Sequence, residues 1–303
     1  MSTGAALAIR GLTKRYGRLT AVRDLDLDVE VGEVFGFLGV NGAGKSTTIR
    51  ILLDFVRPTA GRASILGHDC QRAGLAARAA VGYLPGELGF YEDMTGDAVL
   101  DVTARLSGAD AVRGVYRREL ADRLELSASD LGRRIRDYST GMKRKLGIVQ
   151  AFQADPPMLV LDEPTEGLDP LMQEAFYALL ADVRRRGRTV FMSSHVLSEV
   201  ERVCDRIAVI RKGTLVLLST VDDLHRIAAR RVRVIFDVSA PPPPALPEGC
   251  ELVDSMPTEW RVRVRGPLGP LLARLAGLAV RDLEVHEVPF EEVLRPYYRE
   301  DTT

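Results

Sequence analysis

Cysteine is scarce in this 303-residue chain, and its three cysteines, Cys70, Cys204 and Cys250, lie far apart. Their spacing suggests neither a disulfide framework nor a zinc site, so we expect a reducing compartment. Long apolar runs are also missing, since no window approaches the roughly 20 apolar residues that cross a bilayer. The first ten residues contain no cationic segment followed by an apolar run, so we expect no signal peptide.

A basic excess is absent as well, because 41 Lys and Arg face 42 Asp and Glu and the formal net charge is -1. Nucleic-acid binders usually carry a basic excess or stripe, and the arginine clusters at 184–188 and 230–233 are short. We therefore expect no nucleic-acid partner. Hydrophobic residues make up 46% of the chain, enough for one large domain and a smaller one.

Short apolar runs alternate with helical patterns through most of the chain. Residues 25–29 alternate in the manner of a half-buried strand, and three runs, 34–38, 158–161 and 189–192, are typical of buried strands. Helices are expected from Lys45 to about Val56 and from 171 to 185, with a mostly helical insert at about 88–150. Buried strands alternating with helices predict an α/β fold with a parallel sheet.

The pattern changes after about Arg230. Residues 231–238, 251–253 and 260–264 resemble exposed strands, 271–275 a short helix, and the apolar residues at 290–298 have helical spacing and are expected to pack. The prolines at 241–244 predict a rigid connection. We therefore expect a small α+β appendage over 231–303.

A glycine-rich segment follows the first buried strand and matches the P-loop pattern G-x-x-x-x-G-K-[ST]. Its residues are Gly39, Val40, Asn41, Gly42, Ala43, Gly44, Lys45 and Ser46, with Thr47 next in the helix. Such a loop points backbone N–H groups at phosphate oxygens, and the helix N-terminus adds positive potential. Lys45 is then expected between the β- and γ-phosphates, and Ser46 on Mg²⁺.

Two carboxylates, Asp162 and Glu163, end the second buried strand. Asp162 at a strand end is suited to hold Mg²⁺, and Glu163 beside it to polarise the attacking water as a general base. An acidic turn that caps the next helix is the alternative, but the P-loop upstream disfavours it.

These residues and several others resemble the ATPases of ABC transporters. The segment Tyr138, Ser139, Thr140, Gly141 and Met142 resembles the ABC signature; Asp169 stands in a segment similar to the D-loop, His195 in one similar to the H-loop, and Tyr16 resembles the aromatic residue that stacks on adenine. The resemblance covers roughly residues 5–225.

Two departures from the family pattern stand out. The signature has Thr140 and Met142 where Gly and Gln are usual, a variant that resembles exporter-type ATPases, including those of antibiotic and multidrug export. The Q-loop position that should hold Gln is Gly86, followed by Glu87. We expect Glu87 either to approach Mg²⁺ in place of the missing side chain or to remain a solvated loop residue.

The resemblance implies a P-loop NTPase fold: a RecA-like core with an antiparallel β subdomain and a helical insert, over 5–225. It implies ATP and Mg²⁺ as ligands, a homodimer in the ATP-bound state (or a heterodimer with a related ATPase), and a separate transmembrane permease. The protein would then lie on the cytoplasmic face of the membrane and energise export.

The alternatives are a non-transport ABC ATPase acting on a macromolecular complex, a small-molecule P-loop kinase, and a drug-sequestering protein. Neither a second nucleotide module nor a coiled coil is present in the sequence, which disfavours the first alternative.

Overall fold

The computed structural model describes residues 4–107, 114–227, 229–237, 239 and 245–298. The chain divides into a larger unit, Met1–Leu218, and a smaller unit, Ser219–Thr303. The predicted proline connection at 241–244 lies outside the described residues. None of the helices in the described ranges combines the length and the apolar character needed to span a membrane.

The larger unit is built on two sheets. Its strands in chain order are β1 (Leu7–Tyr16), β2 (Leu19–Val29), β3 (Val34–Leu38), β4 (Ala60–Ile65), β5 (His68–Asp69), β6 (Val81–Leu84), β7 (Met158–Asp162), β8 (Thr189–Ser194), β9 (Arg206–Arg211) and β10 (Thr214–Thr220). Six of them form the central sheet in the order β10-β9-β3-β8-β7-β6, and the other four form the order β2-β1-β4-β5.

The central sheet is parallel from β9 to β6. Every residue of β3, β7 and β8 is buried, which explains why these strands are short, nearly continuous apolar runs in the sequence. All three predicted buried strands are therefore confirmed. Because parallel strands end at the same edge of a sheet, the loops after β3, β7 and β8 meet there.

The second sheet is antiparallel where β1 pairs with β2 and β4. Along β2 the residues Leu25, Leu27 and Val29 are buried and Asp26 is exposed, as the alternation predicts. Side chains of β1, β2, β3, β7 and β8 belong to one buried cluster, together with the helix that follows β3. In this cluster the ring centroids of Phe37 and Phe191 lie 5.4 Å apart.

Eight helices are described in the larger unit. They are α1 (Lys45–Leu52), α2 (Gly74–Ala79), α3 (Gly96–Leu106), α4 (Gly114–Arg123), α5 (Ala128–Leu131), α6 (Thr140–Phe152), α7 (Pro170–Arg185) and α8 (Leu197–Val203), with a short 3-10 turn at Ile135–Asp137. Helices α3 to α6 form the expected helical insert.

The prediction that the first helix extends to about Val56 is wrong, because α1 ends at Leu52. Asp54 adopts a left-handed conformation with φ 60°. Its N–H donates to the carbonyl of Ile51 at 3.0 Å, and the N–H of Phe55 donates to that of Arg50 at 2.8 Å. This is a Schellman ending formed on an aspartate, a residue type that tolerates the left-handed region better than most.

The smaller unit combines α9 (Val221–Ile227), β11 (Arg230–Phe236), β12 (Cys250–Met256), β13 (Glu259–Val264), α10 (Gly269–Leu275), β14 (Val280–Glu287) and α11 (Phe290–Tyr298). Its antiparallel sheet has the order β12-β13-β11-β14. Trp260 is buried and lies edge-on to Phe236 with ring centroids 4.7 Å apart, above Leu271 and Leu275 of α10.

One expectation for the appendage is wrong, and one of its strands was not predicted. Strands β11 and β13 were expected to be exposed, but their alternate residues Val232, Val234, Val262 and Val264 are buried because α10 covers one face. Strand β14 was not predicted, since charged residues interrupt its sequence. It is an edge strand, where charge is common. The apolar tail packs as expected, with Phe290 and Leu294 buried in α11.

Candidate functional site

The phosphate-type loop lies between β3 and α1 and is confined from behind. A Cβ added at Gly39 would come within 2.5 Å of the carbonyl oxygen of Ile210, and one at Gly44 within 2.5 Å of that of Ala21. Gly44 also has φ 116°, a conformation that L side chains rarely adopt. No side chain caps the N-terminus of α1, and its first residues, Lys45, Ser46 and Thr47, line the cleft in front of the loop, so that uncapped N–H groups are available there.

Lys45 is nearly enclosed, with 6% of its surface exposed. Its Nζ donates to the carbonyl oxygen of Gly39 at 2.6 Å and lies 3.2 Å from Oε1 of Glu163. The ammonium group is thus held at the centre of the loop by one neutral and one charged acceptor. A cation so placed attracts an anionic ligand that enters the cleft.

Two serine hydroxyl groups contact the same carboxylate oxygen of Asp162. Ser193 Oγ donates to Asp162 Oδ1 at 2.5 Å, and Ser46 Oγ lies 3.4 Å from that atom. The hydroxyl and carboxylate oxygens are the donor types that Mg²⁺ takes, and the rest of its shell usually comes from phosphate and water. No cluster of three or more His, Cys, Asp or Glu suited to a metal occurs in the described part of the chain.

Glu163 links the loop to the end of β8. Its carboxylate contacts Lys45 through Oε1, and Oε2 lies 2.8 Å from Nδ1 of His195. Its N–H donates to Ser193 Oγ at 3.1 Å, while its own φ is 49°. A left-handed non-glycine residue is strained, and such strain is concentrated at functional sites. The carboxylate is therefore fixed in direction, with a cation and an imidazole on either side.

Lys45, Ser46, Asp162 and Glu163 border a cleft of about 640 Å³, a size typical of small-molecule sites. Gly39 and His195 are not among the residues that line it. The residues that line it include Val40, Asn41, Gly42, Ala43, Gly44, Lys45, Ser46, Thr47, Asp162 and Glu163, together with Tyr16, Tyr83, Gly86, Glu87 and Glu166. Tyr16 is 45% exposed, and Lys14 Nζ lies 4.8 Å from its ring centroid. Burial, with the nearby charge of Asp162, raises the pKa of Tyr83 to about 12, so this phenol stays neutral.

The signature-like segment lies outside this cleft, since none of Ser139, Thr140, Gly141 or Met142 lines it. Ser139 caps α6 by accepting the N–H of Met142 at 3.2 Å, and Ser139 and Thr140 are exposed. Asp169 similarly caps α7 by accepting the N–H of Met172 at 3.0 Å. A Cβ at Gly141 would lie 3.4 Å from the carbonyl oxygen of Gly167, so the signature and D-loop segments adjoin each other.

At the Q-loop position, where Gly86 replaces the usual Gln, the main chain lies close to Asp162. A Cβ added at Gly86 would lie 3.5 Å from Asp162 Oδ2, an ordinary contact distance. Glu87 is exposed and borders the cleft. Its proposed approach to Mg²⁺ remains a prediction.

Two functional neighbours escaped the sequence reasoning. Arg144, in the charged run 143–145, is 5% exposed and donates to the carbonyl oxygens of Pro85, Gly86 and Glu166. A run of three cations in sequence usually indicates a solvated helix face. Only its spacing from Gly147 and Ile148, three and four residues further along the helix and both buried, places Arg144 on the inward face.

The second is Glu199, which is 7% exposed on α8. Its carboxylate accepts hydroxyl hydrogens from Thr165 at 2.6 Å and Ser194 at 3.1 Å. Thr165 follows the Asp162–Glu163 pair and Ser194 precedes His195, so Glu199 connects the segments that follow β7 and β8. No sequence signal distinguishes this glutamate from its solvated neighbours on a short helix.

Comparison with known proteins agrees with this geometry. A family model described as ABC transporter matches residues 22–166. An uncharacterized ABC transporter ATP-binding protein of Nostoc sp. is 38% identical over 211 residues, and the alignment covers 68% of this chain and 62% of that protein. The bacitracin transport ATP-binding protein BcrA of Enterococcus faecalis is 37% identical over 231 residues, covering 75% of this chain and 73% of that protein.

A relative that also aligns with the smaller unit is the Nod factor export ATP-binding protein I of Paraburkholderia xenovorans. It is 33% identical over 282 residues, covering 87% of this chain and 91% of that protein. Among solved structures, the ATP-binding subunit of an ABC transporter superposes with a TM-score of 0.69 at 31% identity, covering 73% of this chain and 92% of the other.

An ABC ATPase binds ATP with Mg²⁺, and the residues present fit that ligand. The loop offers N–H groups and a buried ammonium group for phosphates, and the Ser46 and Asp162 oxygens lie together for the metal. At Gly39 and Gly44 the neighbouring backbone carbonyl oxygens leave no space for a Cβ atom, so the loop conformation requires glycine at both positions. Sequence, fold and site together show that this chain belongs to the ABC transporter family, as one of its ATP-binding proteins.

Proposed function

We propose that the chain is the ATP-hydrolysing subunit of an ABC exporter, acting as a dimer on a separate transmembrane permease. The observation that carries this proposal is the division of the ATP site. The cleft holds Lys45, Asp162 and Glu163, whereas the exposed Ser139 lies outside it. In a head-to-tail pair, the exposed signature surface of each copy would cover the open side of the other copy's cleft.

Within the cleft, each side chain has a distinct role in our proposal. Lys45 binds the β- and γ-phosphates, and Tyr16 supports the adenine ring. Ser46 and Asp162 would hold Mg²⁺, which neutralises phosphate charge when bound. Glu163 accepts the proton of the attacking water. Its contacts with Lys45 and His195 orient it toward the loop.

Across the dimer, Ser139 and Gly141 would close over the ATP that the partner's cleft holds. A hydroxyl group and backbone N–H groups at the start of α6 are suited to a γ-phosphate, because a helix N-terminus carries partial positive charge. Loss of that phosphate on hydrolysis removes the contact. The pair is then stable with ATP and loosens afterwards.

The permease would dock on an apolar groove of about 320 Å³ beside the helical insert. Leu88, Phe90, Tyr91, Met94, Val102 and Leu106 are among the residues that line it. Tyr91 is 81% exposed and Leu106 is 82% exposed, which is costly for a face that stays in water. The groove also includes Pro85, next to the cleft, so docking there would sense closure.

Export is the direction favoured by two observations. The signature variant with Thr140 and Met142 resembles that of exporter-type ATPases, and one relative is named for Nod factor export and another for bacitracin transport. The nature of the cargo would be decided in the permease. For residues 219–303 we propose a regulatory or dimer-stabilising role, since no phosphate-type motif occurs in them.

The substitution Glu163→Gln tests the proposal, because it keeps the shape of the side chain and removes its charge. Removal of a general base typically lowers a rate by about 10²–10⁴. Turnover of Mg-ATP should fall by that amount while ATP now traps a dimer, seen as a concentration-dependent shift in gel filtration. Substitution of the exposed, unrelated Glu119 by Gln is the control and should change neither. Unchanged turnover in Glu163→Gln would remove this residue from the role, and absence of any ATPase activity in the wild type would refute the function.

A further inference from the structure

Arg144 lies on α6, the helix that the signature residues begin, and its guanidinium group reaches outside that helix. Nη1 donates to the carbonyl oxygen of Pro85 at 3.0 Å, Nη2 to that of Gly86 at 2.8 Å, and Nε to that of Glu166 at 2.9 Å. Three backbone carbonyls from two loops are thus held by one side chain. Both loops border the nucleotide cleft.

The charge of this arginine is not matched by a close carboxylate. Glu166 lies 3.9 Å from Nη2 and its side chain is 67% exposed. Burial lowers the pKa of Arg144, while the nearby carboxylates of Glu166, Asp162 and Glu163 raise it. A buried guanidinium group is costly unless its donors are satisfied. Here carbonyl oxygens satisfy them, and only a fork-shaped group spans three such positions.

A second contact fixes the same loop to the same helix. Gly147 is one turn beyond Arg144, and a Cβ there would come within 2.8 Å of Leu88 Cδ2 and 2.9 Å of Leu84 Cδ1. Helix α6 therefore lies directly on the segment from Leu84 to Leu88. This segment cannot shift along α6 without breaking the three Arg144 hydrogen bonds or opening the contact at Gly147.

Arg144 thus connects the Pro85–Gly86 backbone with the N-terminus of α6, and in the proposed dimer these two segments face different ATP molecules. Gly86 lies beside Asp162 in the cleft of its own subunit, and Ser139 starts α6 at an exposed surface. Gly86 has no side chain with which to link the nucleotide to the helical insert. The backbone carbonyls on Arg144 provide that link instead.

We propose that Arg144 is a positioning residue that couples the ATP cleft of a subunit to the signature residues which that subunit presents to its partner. This inference rests on the proposed function. ATP in one cleft moves the Pro85–Gly86 backbone, Arg144 transmits the movement to α6, and Ser139 is set for the second ATP. The two ATP sites of a dimer therefore assist each other.

The test is the ATP dependence of turnover in the full chain carrying Arg144→Met, which has a similar shape and no donors. For two coupled sites the wild-type Hill coefficient should approach about 2. In Arg144→Met it should fall to about 1, and maximal turnover should drop by about tenfold or more, as expected when several hydrogen bonds to a charged group are lost. ATP binding by the separate subunit, measured by titration, should change by less than about threefold, because Lys45 and the loop are untouched.

Two further variants distinguish geometry from charge. Arg144→Lys keeps the charge without the fork and should behave like Arg144→Met. Recovery of the wild-type Hill coefficient in Arg144→Lys would overturn the carbonyl link. Lys145→Met is the matched control: it removes a neighbouring cation that lies 3.9 Å from Glu125, away from the cleft, and it should keep both Hill coefficient and turnover.

The other possible results distinguish failure of the Arg144 coupling from failure of the proposed function. A wild-type Hill coefficient of 1, or an Arg144→Met protein with unchanged cooperativity, refutes the coupling and leaves the ATPase function standing. Loss of ATP binding by the Arg144→Met subunit itself indicates a purely structural role and likewise refutes it. A wild type that neither hydrolyses ATP nor dimerises refutes the proposed function rather than the coupling.

Discussion

The cleft and the signature surface are the two parts of the proposed ATP site, and they differ in how completely one chain builds them. In the cleft, Lys45 and Glu163 are largely enclosed and bonded to each other, with His195 behind the carboxylate. At the signature, Ser139 and Thr140 are exposed, and the Ser139 hydroxyl group serves its own helix as a cap. One part is thus preorganised by folding, whereas the other is an exposed helix N-terminus whose hydroxyl group contacts only its own helix.

The difference indicates where control of the reaction lies. Preorganised groups act on ATP without rearrangement. If the cleft of one chain were sufficient for hydrolysis, the protein would therefore be an unregulated ATPase. Placing the final contacts on another subunit makes hydrolysis depend on dimer formation, and hence on whatever holds or orients the two copies. A permease that docks beside the cleft would then set the rate.

The largest effect is expected when the cleft is disabled. Lys45→Ala removes a buried ammonium group from the loop, and a hydrogen bond to a charged group is worth about 1.5–3 kcal/mol, so the ATP dissociation constant should rise about 10–100-fold. ATP raises the unfolding temperature of the wild type by mass action, and this rise should largely vanish in Lys45→Ala. Lys143→Ala, which removes a cation paired with Glu92 in the helical insert, should keep it. A full ATP-dependent rise in Lys45→Ala would contradict the assignment of the loop.

A smaller effect is expected at the rim of the cleft. If the carboxylate of Glu87 belongs to the metal shell, Glu87→Ala should raise the Mg²⁺ concentration needed for half-maximal turnover by a few-fold, with ATP binding little changed. Glu87→Gln should be milder, because an amide oxygen still coordinates the metal. Titration of turnover with Mg²⁺ checks this, and identical curves for Glu87→Ala and wild type would show that no side chain of this loop contributes.

The smallest effect is expected from removal of the smaller unit. A chain shortened to Thr220 keeps all of β10 and every residue that borders the cleft. Its ATP dissociation constant should stay within about twofold of the wild type, because none of the residues described in the smaller unit lines the cleft. Loss of ATP binding by a shortened chain that still folds, judged by circular dichroism, would contradict the division of labour between the units.

Sequence reasoning succeeded where short-range rules decide the outcome. Strands β3, β7 and β8 are fully buried, so their apolar runs are unbroken and easily recognised. The P-loop is equally evident, because its conformation requires glycine at Gly44 and its chemistry requires Lys45.

It failed where tertiary contacts decide. The burial of Arg144 depends on carbonyls that are 22, 58 and 59 residues away in the sequence, which no local pattern encodes. Glu199 is similarly defined by Thr165 and Ser194, from different loops. The early end of α1 depends on Asp54 entering the left-handed region, a choice that its side chain allows but does not demand.

Complementation between two inactive variants tests the divided ATP site most directly. Glu163→Gln stops hydrolysis in the cleft but leaves Lys45 to bind ATP there, and Ser139→Asp places a negative charge toward the γ-phosphate while keeping a residue type that caps α6 well. Each variant alone should show almost no turnover, whereas an equimolar mixture should recover up to about a quarter of the wild-type rate, because half of randomly formed dimers are mixed and each has one complete site. Failure of every mixture ratio to recover activity, or high activity of Ser139→Asp alone, would contradict an ATP site shared between two chains.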